Sequence, residues 1–227
     1  RLRPTSNIAK VFAVHFRFDK AFVEPCMRAV LHHVKQYAEA NRNEKLLIVG
    51  HTDKAGPEPY NQFLSERRAR SVYTFVTAGL NEASHAAAIG EWEALRKTRP
   101  SRNPTGIEDS WGTHQYQHML QDLGFYPGAI DGDHGPLTRA AVRAYRCHKG
   151  LPPGTDVDDA VWRALISDYL IRGNGIGIPA DHFLPIGQNT ELKWLGCGEE
   201  DPLDRRNTAF RPSRRVELLF VRADRLS

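Results

Sequence analysis

The chain has 227 residues, of which 41% are apolar and 26% charged, with 31 basic and 27 acidic side chains and a net charge of +4. This composition excludes a disordered chain and allows one large domain or two small ones, and its basic excess is too slight to argue for nucleic acid. No apolar run approaches the roughly 18 residues of a membrane span. Three scattered cysteines, Cys26, Cys147 and Cys197, are too few for a disulfide framework or a zinc cage. The start at Arg1-Leu2-Arg3-Pro4, without an initiator Met or signal segment, is expected of a piece excised from a longer protein.

In chain order, Val11 to Phe16 is rich in β-branched and aromatic residues and predicts a strand. Pro25 can open a helix, and Met27, Val30, Leu31, Val34 and Tyr37 then share one helical face. Leu46 to Val49 is a short continuous apolar run of the kind found in central strands, and Gly50 to Pro59 is a loop. Tyr60, Leu64, Arg68, Val72 and Val76 lie on one face of the next helix, which ends near Gly79. A further helix covers Glu82 to Lys97. Three more are expected at His114 to Leu123, Pro136 to His148 and Val157 to Leu170, followed by strands at Glu191 to Gly196 and Arg214 to Val221.

Charge divides the chain unevenly. Residues 1–107 hold 17 basic and 10 acidic residues (+7), residues 108–170 hold 5 and 9 (−4), and residues 171–227 hold 9 and 8 (+1). The acidic middle piece is bordered by two stretches rich in Pro, Gly and polar residues, 98–106 and 172–179. The expected organisation is therefore one discontinuous α/β domain, residues 1–107 and 171–227, with a mixed sheet and helices packed on it. Residues 108–170 form a small all-α three-helix domain inserted between two hinges.

The loop Gly50-His51-Thr52-Asp53 follows a buried strand, and Arg68 comes fifteen residues after Asp53 on the inward face of the next helix. A carboxylate and a guanidinium lining one cleft suit a zwitterion, the acid taking an ammonium and the arginine a carboxylate. On spacing alone a plain Asp53–Arg68 salt bridge is the favoured reading, because structural ion pairs outnumber ligand sites.

The residues Phe18, Asp19 and Lys20, Gly50 to Asp53, Tyr60 and Asn61, Leu64, Ser65, Arg68 and Ala69, Gly196, Gly198 and Glu199 with Pro202, and Arg214 to Glu217 stand in the order of the motifs of the OmpA-like C-terminal domain, which this chain resembles over about residues 8–95 and 184–222. The resemblance implies an α+β sandwich that binds peptidoglycan non-covalently, chiefly through diaminopimelate of the peptide stem. It implies that Asp53 and Arg68 take the ammonium and carboxylate of diaminopimelate, that Asp19 and Phe18 sit at the pocket edge, and that Thr52, Asn61 and Leu64 line it. Ser213 stands where the family usually has Asn before the paired arginines.

Residues 109–170 also resemble a family. Trp111, Gln117, Leu120, Leu123, the run Gly124 to Gly132, Gly135, Pro136, Thr138, Tyr145, Gly150, Leu151, Val161, Trp162 and Leu165 are similar to the three-helix peptidoglycan-binding domain often attached to cell-wall hydrolases. Asp131-Gly132 and Gly135-Pro136 are explained by the turn and helix start they form. Tyr145-Arg146 replaces the usual Phe-Gln. Wall binding by this module and a protein-contact or spacer role remain equally open.

Other candidates have plainer readings. His114 and His118 share a helical face near Asp131, Asp133 and His134 but lack the Glu of the H-E-x-x-H motif, so no metal site is expected. Adjacent His32 and His33 diverge around their helix, and His51 is read as structural. Cys147 has no evident base partner. Arg67 and Arg70, with Arg28 and Lys35, read as a solvated basic face with Arg68 the exception. Gly173, Gly175 and Gly177 follow a helix, which does not fit a phosphate loop.

The expectation is a non-enzymatic anchor with no catalytic residues, no metal and no cofactor. Its partner would be peptidoglycan in the periplasm or cell envelope of a Gram-negative-type bacterium. The two modules would bind the wall bivalently, the second raising avidity through effective concentration. The alternatives are a docking component of a secretion or contractile-injection machine and a non-catalytic accessory of a wall hydrolase.

Overall fold

The computed structural model describes residues 8–98, 109–186, 192–200, 202–203 and 209–222. Its sheet has four strands in the order β1 (Ile8–His15), β4 (Arg215–Arg222), β2 (Glu44–Gly50) and β3 (Trp194–Gly196). β4 runs antiparallel to both β1 and β2, and β3 is parallel to β2, so the sheet is mixed as expected. Val14, Leu46, Ile48, Val216, Leu218 and Phe220 alternate onto the buried side. β3 comprises only Trp194–Gly196, shorter than the expected strand, whose first residue lies outside the described residues.

Pro25 opens a 3₁₀ turn that runs into α1 (Arg28–Ala40), where Leu31, Val34 and Ala38 face inward. α2 (Glu58–Thr77) crosses the sheet and buries twelve residues, among them Arg67 and Arg68. Its close approach depends on Gly50: a Cβ there would lie 2.0 Å from the Ser65 carbonyl oxygen. α3 (Glu82–Lys97) is capped by Asn81, whose side chain accepts from the Ser84 N–H, and carries Arg96 and Lys97 in its last turn, where cations favour the helix dipole.

The next three helices are α4 (Thr113–Asp122), α5 (Pro136–His148) and α6 (Asp159–Leu170). Asp158 caps α6 by accepting from the Val161 N–H. Arg146, one of the departures noted above, is buried and donates to the carbonyls of Pro152 and Asp156 and to the Asp158 carboxylate, which pins the α5–α6 loop.

These helices do not stand off the sheet on hinges. Phe22, Phe75 and Trp92 form one aromatic cluster with Trp111 and Tyr169, with ring centroids 5.1–5.9 Å apart. Arg28 reaches from α1 to the Asp122 carboxylate (3.0 Å) and the Tyr169 carbonyl (3.1 Å), stacked over the Phe75 and Tyr169 rings. The Tyr169 hydroxyl donates to the Val23 carbonyl (2.8 Å). The physical reason is surface area: a helix trio of about 60 residues is marginal by itself, and the sheet domain supplies a further apolar partner.

The glycine-rich stretch after α6 is likewise packed rather than hinged, with Ile176 and Ile178 buried and the Ile178 N–H donating to the Val76 carbonyl. Of the first expected linker only Thr98 lies within the described residues. No helix among the described residues is long and apolar enough to cross a membrane.

Candidate functional site

The expected cleft residues gather where β1 and β2 end and α2 passes beneath. Arg68 is fully buried. Its guanidinium donates to three backbone carbonyls, those of Lys20 (2.9 Å), His51 (2.9 Å) and Arg17 (3.3 Å), and lies over the Phe16 ring. One side chain therefore holds the Arg17–Lys20 loop and the His51 loop at once. Burial draws its pKa down to about 10, against the opposing pull of the Asp109 and Asp53 carboxylates.

Asp53 is also buried, but its bonded partner is not Arg68. Its Oδ2 accepts from Arg214 Nη1 (2.8 Å) and from the Phe210 N–H (3.0 Å). The Asp53–Arg68 salt bridge favoured on spacing is thus replaced by an Asp53–Arg214 pair. Arg214 in turn donates from Nε to the Phe16 carbonyl and stacks over the half-buried Phe18 ring. Arg68 acts on Asp53 only through its nearby charge.

Asp19 is buried with φ +49, a left-handed conformation uncommon outside Gly, Asn and Asp. Burial raises its pKa, opposed by hydrogen bonding with Tyr60 and the charge of Arg68. Burial and the Asp19 charge push the Tyr60 phenol well up. Among the described residues, Asp19 Oδ2 and Thr52 Oγ1 are buried without a hydrogen-bond partner of good geometry. Leu64 packs with Ala21 and Tyr60 in a small apolar cluster under the loop. Asn61 spends its amide on the Glu199 carboxylate (2.6 Å), which ties α2 to the segment after β3. His51 is buried 3.5 Å from Glu217, whose carboxyl is held down to about 2 by hydrogen bonds from His51 and Arg215, against the cost of burial. Ser213, at the usual Asn position, is buried and accepts from the Leu203 N–H.

All seven expected residues, Phe18, Asp19, Thr52, Asp53, Asn61, Leu64 and Arg68, fall in this neighbourhood. Sequence reasoning missed Arg214, Tyr60 and Asp109 as parts of it. Paired arginines heading the last strand were a usable signal for Arg214, whereas nothing in the sequence marks Asp109. The solvated basic face is corrected: Arg67 is buried against Asp109, and Arg28 sits between the sheet domain and the helices. His118 stacks on Phe22, and burial lowers its pKa to about 4, with Arg17 and His114 adding to the effect. Among the described residues no group of three potential ligands is placed to hold a metal ion.

Two buried carboxylates, Asp19 and Asp53, and the buried Arg68 guanidinium thus share one polar layer. Comparison with known proteins defines the class more closely. Residues 15–99 match the model of the OmpA family, and residues 112–165 match the model described as "Putative peptidoglycan binding domain". The chain thus carries an OmpA family domain joined to a second domain of the peptidoglycan-binding kind. Outer membrane protein A of Bordetella avium is 44% identical over 79 residues, which are 34% of this chain and 41% of that protein. Outer membrane protein 41 of Porphyromonas gingivalis is 36% identical over 89 residues, 39% of this chain and 22% of that protein. The chain therefore spans less than half the length of these relatives. The crystal structure of the peptidoglycan-associated lipoprotein from Burkholderia pseudomallei aligns with 92% of this chain and 88% of that one, at 15% identity and a TM-score of 0.35.

Proposed function

We propose that the chain binds peptidoglycan non-covalently through the diaminopimelate of the peptide stem and anchors the protein that carries it to the wall of the cell envelope. The observation that carries this reading is the convergence of Asp53, Arg68 and Asp19 in one buried layer, beside the Thr52 hydroxyl, which is buried without a hydrogen-bond partner among the described residues. Buried polar groups of that kind are costly unless a partner satisfies them. The free end of diaminopimelate offers an ammonium and a carboxylate on one carbon, which matches acid and guanidinium together. The match of residues 15–99 and 112–165 to the two families supports the same ligand class.

The test is co-sedimentation with two purified walls, one carrying diaminopimelate in the stem and one carrying lysine at that position. Lysine lacks the distal carboxylate, so the protein is expected to pellet with the first wall and stay soluble with the second. Asp53→Ala, checked for folding, is expected to abolish pelleting. Equal pelleting with both walls overturns the diaminopimelate assignment. Failure to pellet with either overturns wall binding and favours a protein partner.

A further inference from the structure

Asp109 lies between the stretches matched to the two families and belongs to neither. Its side chain is fully buried and each oxygen has a partner in the sheet domain. Oδ1 accepts from the Ala21 N–H (3.1 Å) and Oδ2 from Arg67 Nε (2.8 Å). Arg67 also donates to the carbonyls of Leu95 (2.6 Å) and Asp109 (3.3 Å). One residue further on, the Ser110 carbonyl accepts from Lys20 Nζ (3.3 Å).

These bonds fall on the cleft loop itself. Ala21 is two residues from Asp19, and Arg68 grips the Lys20 carbonyl from the other side. The loop between holds Asp19 at φ +49, a left-handed conformation that Asp adopts more readily than most residues and that the surrounding contacts help to fix. Arg67 and Arg68 are neighbours on α2 and diverge around it, one toward Asp109 and the other toward the loop carbonyls. The loop is thus fastened from both sides, once by the sheet domain and once by the first described residue of the helical segment.

We propose that Asp109 is a positioning residue of the cleft, holding the Asp19–Ala21 loop in its binding geometry so that the helical segment sets ligand affinity without touching the ligand. This rests on the diaminopimelate reading above. The segment is then a built part of the site rather than a second binder on a tether.

The test measures affinity for a diaminopimelate-containing muropeptide by calorimetry, together with amide exchange at Ala21. The proteins are wild type, Asp109→Ala, Asp109→Glu and a control, Asp159→Ala, which removes an exposed link between α6 and the end of α3 that makes no bond to the cleft loop. Asp109→Ala is expected to bind about tenfold more weakly or worse, as the loss of a buried hydrogen bond to a charged group implies. It should also speed Ala21 exchange at a temperature where it remains folded. Asp109→Glu should recover part of the affinity, and Asp159→Ala should bind as wild type. Should Asp109→Ala fail to fold, Asp109→Asn takes its place: it keeps an acceptor for Ala21 while weakening the Arg67 pair, and a smaller loss is expected. Wild-type affinity in the Asp109 variant, or a loss shared equally by Asp159→Ala, overturns the inference alone. A wild type that does not bind the muropeptide, with Ala21 exchange still dependent on Asp109, overturns the functional reading instead.

Discussion

Asp53 and Arg214 form a 2.8 Å ion pair between the β2 loop and the residue that precedes β4, while Arg68, fully buried nearby, is bonded among the described residues to backbone carbonyls. The two arginines have separate tasks. One neutralises the acid and the other shapes the loops around it.

The Asp53–Arg214 pair is mostly desolvated, so either partner alone is a buried charge without compensation. Asp53→Ala and Arg214→Ala are each expected to cost about 3–5 kcal/mol. The double variant should cost less than their sum, with a coupling of about 1–3 kcal/mol in urea unfolding. Additive losses would show that the pair is not energetically joined.

Arg68→Lys keeps the charge and loses the fork. An ammonium cannot hold three carbonyls on two separate loops as a planar guanidinium does. Leaving two of them unpaired is expected to destabilise the chain by about 2–4 kcal/mol. The loss should appear as a lower denaturant midpoint with unchanged slope.

Acid should weaken the fold in two separable windows. His118, neutral in the folded state down to about pH 4, leaves the unfolded chain binding the extra proton below about pH 6.5. Stability therefore falls as pH drops from there through 4. Glu217, held ionised to about pH 2, contributes stability that is complete above its unfolded value near 4.5 and is lost as pH falls toward 2. His118→Phe should flatten the first window and Glu217→Gln the second, in unfolding curves collected from pH 7 to 2.

Because the helices and the sheet domain share one core, calorimetry of the whole chain should show a single unfolding transition. Trp92 packs against Phe22, Phe75, Trp111 and Tyr169. Trp92→Ala is expected to cost about 3–5 kcal/mol. It should lower the stability of both parts together. Two resolved transitions in the wild type would contradict the shared core.

The elements were legible because their signals are local. The helical face from Tyr60 to Val76, the run Leu46 to Val49 and the Pro136 helix start all reflect periodicity or backbone preference within one turn or strand. The helices expected at Glu82 to Lys97 and Pro136 to His148 keep those bounds in the structure. That Asp53 and Arg68 lie close together was legible too, because one follows a strand end and the other faces inward on the next helix.

What bonds to what was decided only by tertiary structure. Arg214 follows Asp53 by 161 residues and Asp109 follows Ala21 by 88. No spacing rule connects residues so far apart, since the sheet order and the docking of the helices bring them together. The same holds for Arg28 and Arg67, whose charge reads as solvent-facing in sequence. In the fold Arg67 is buried and Arg28 is half-buried, because carboxylates from the helical segment, Asp109 and Asp122, arrive to compensate them.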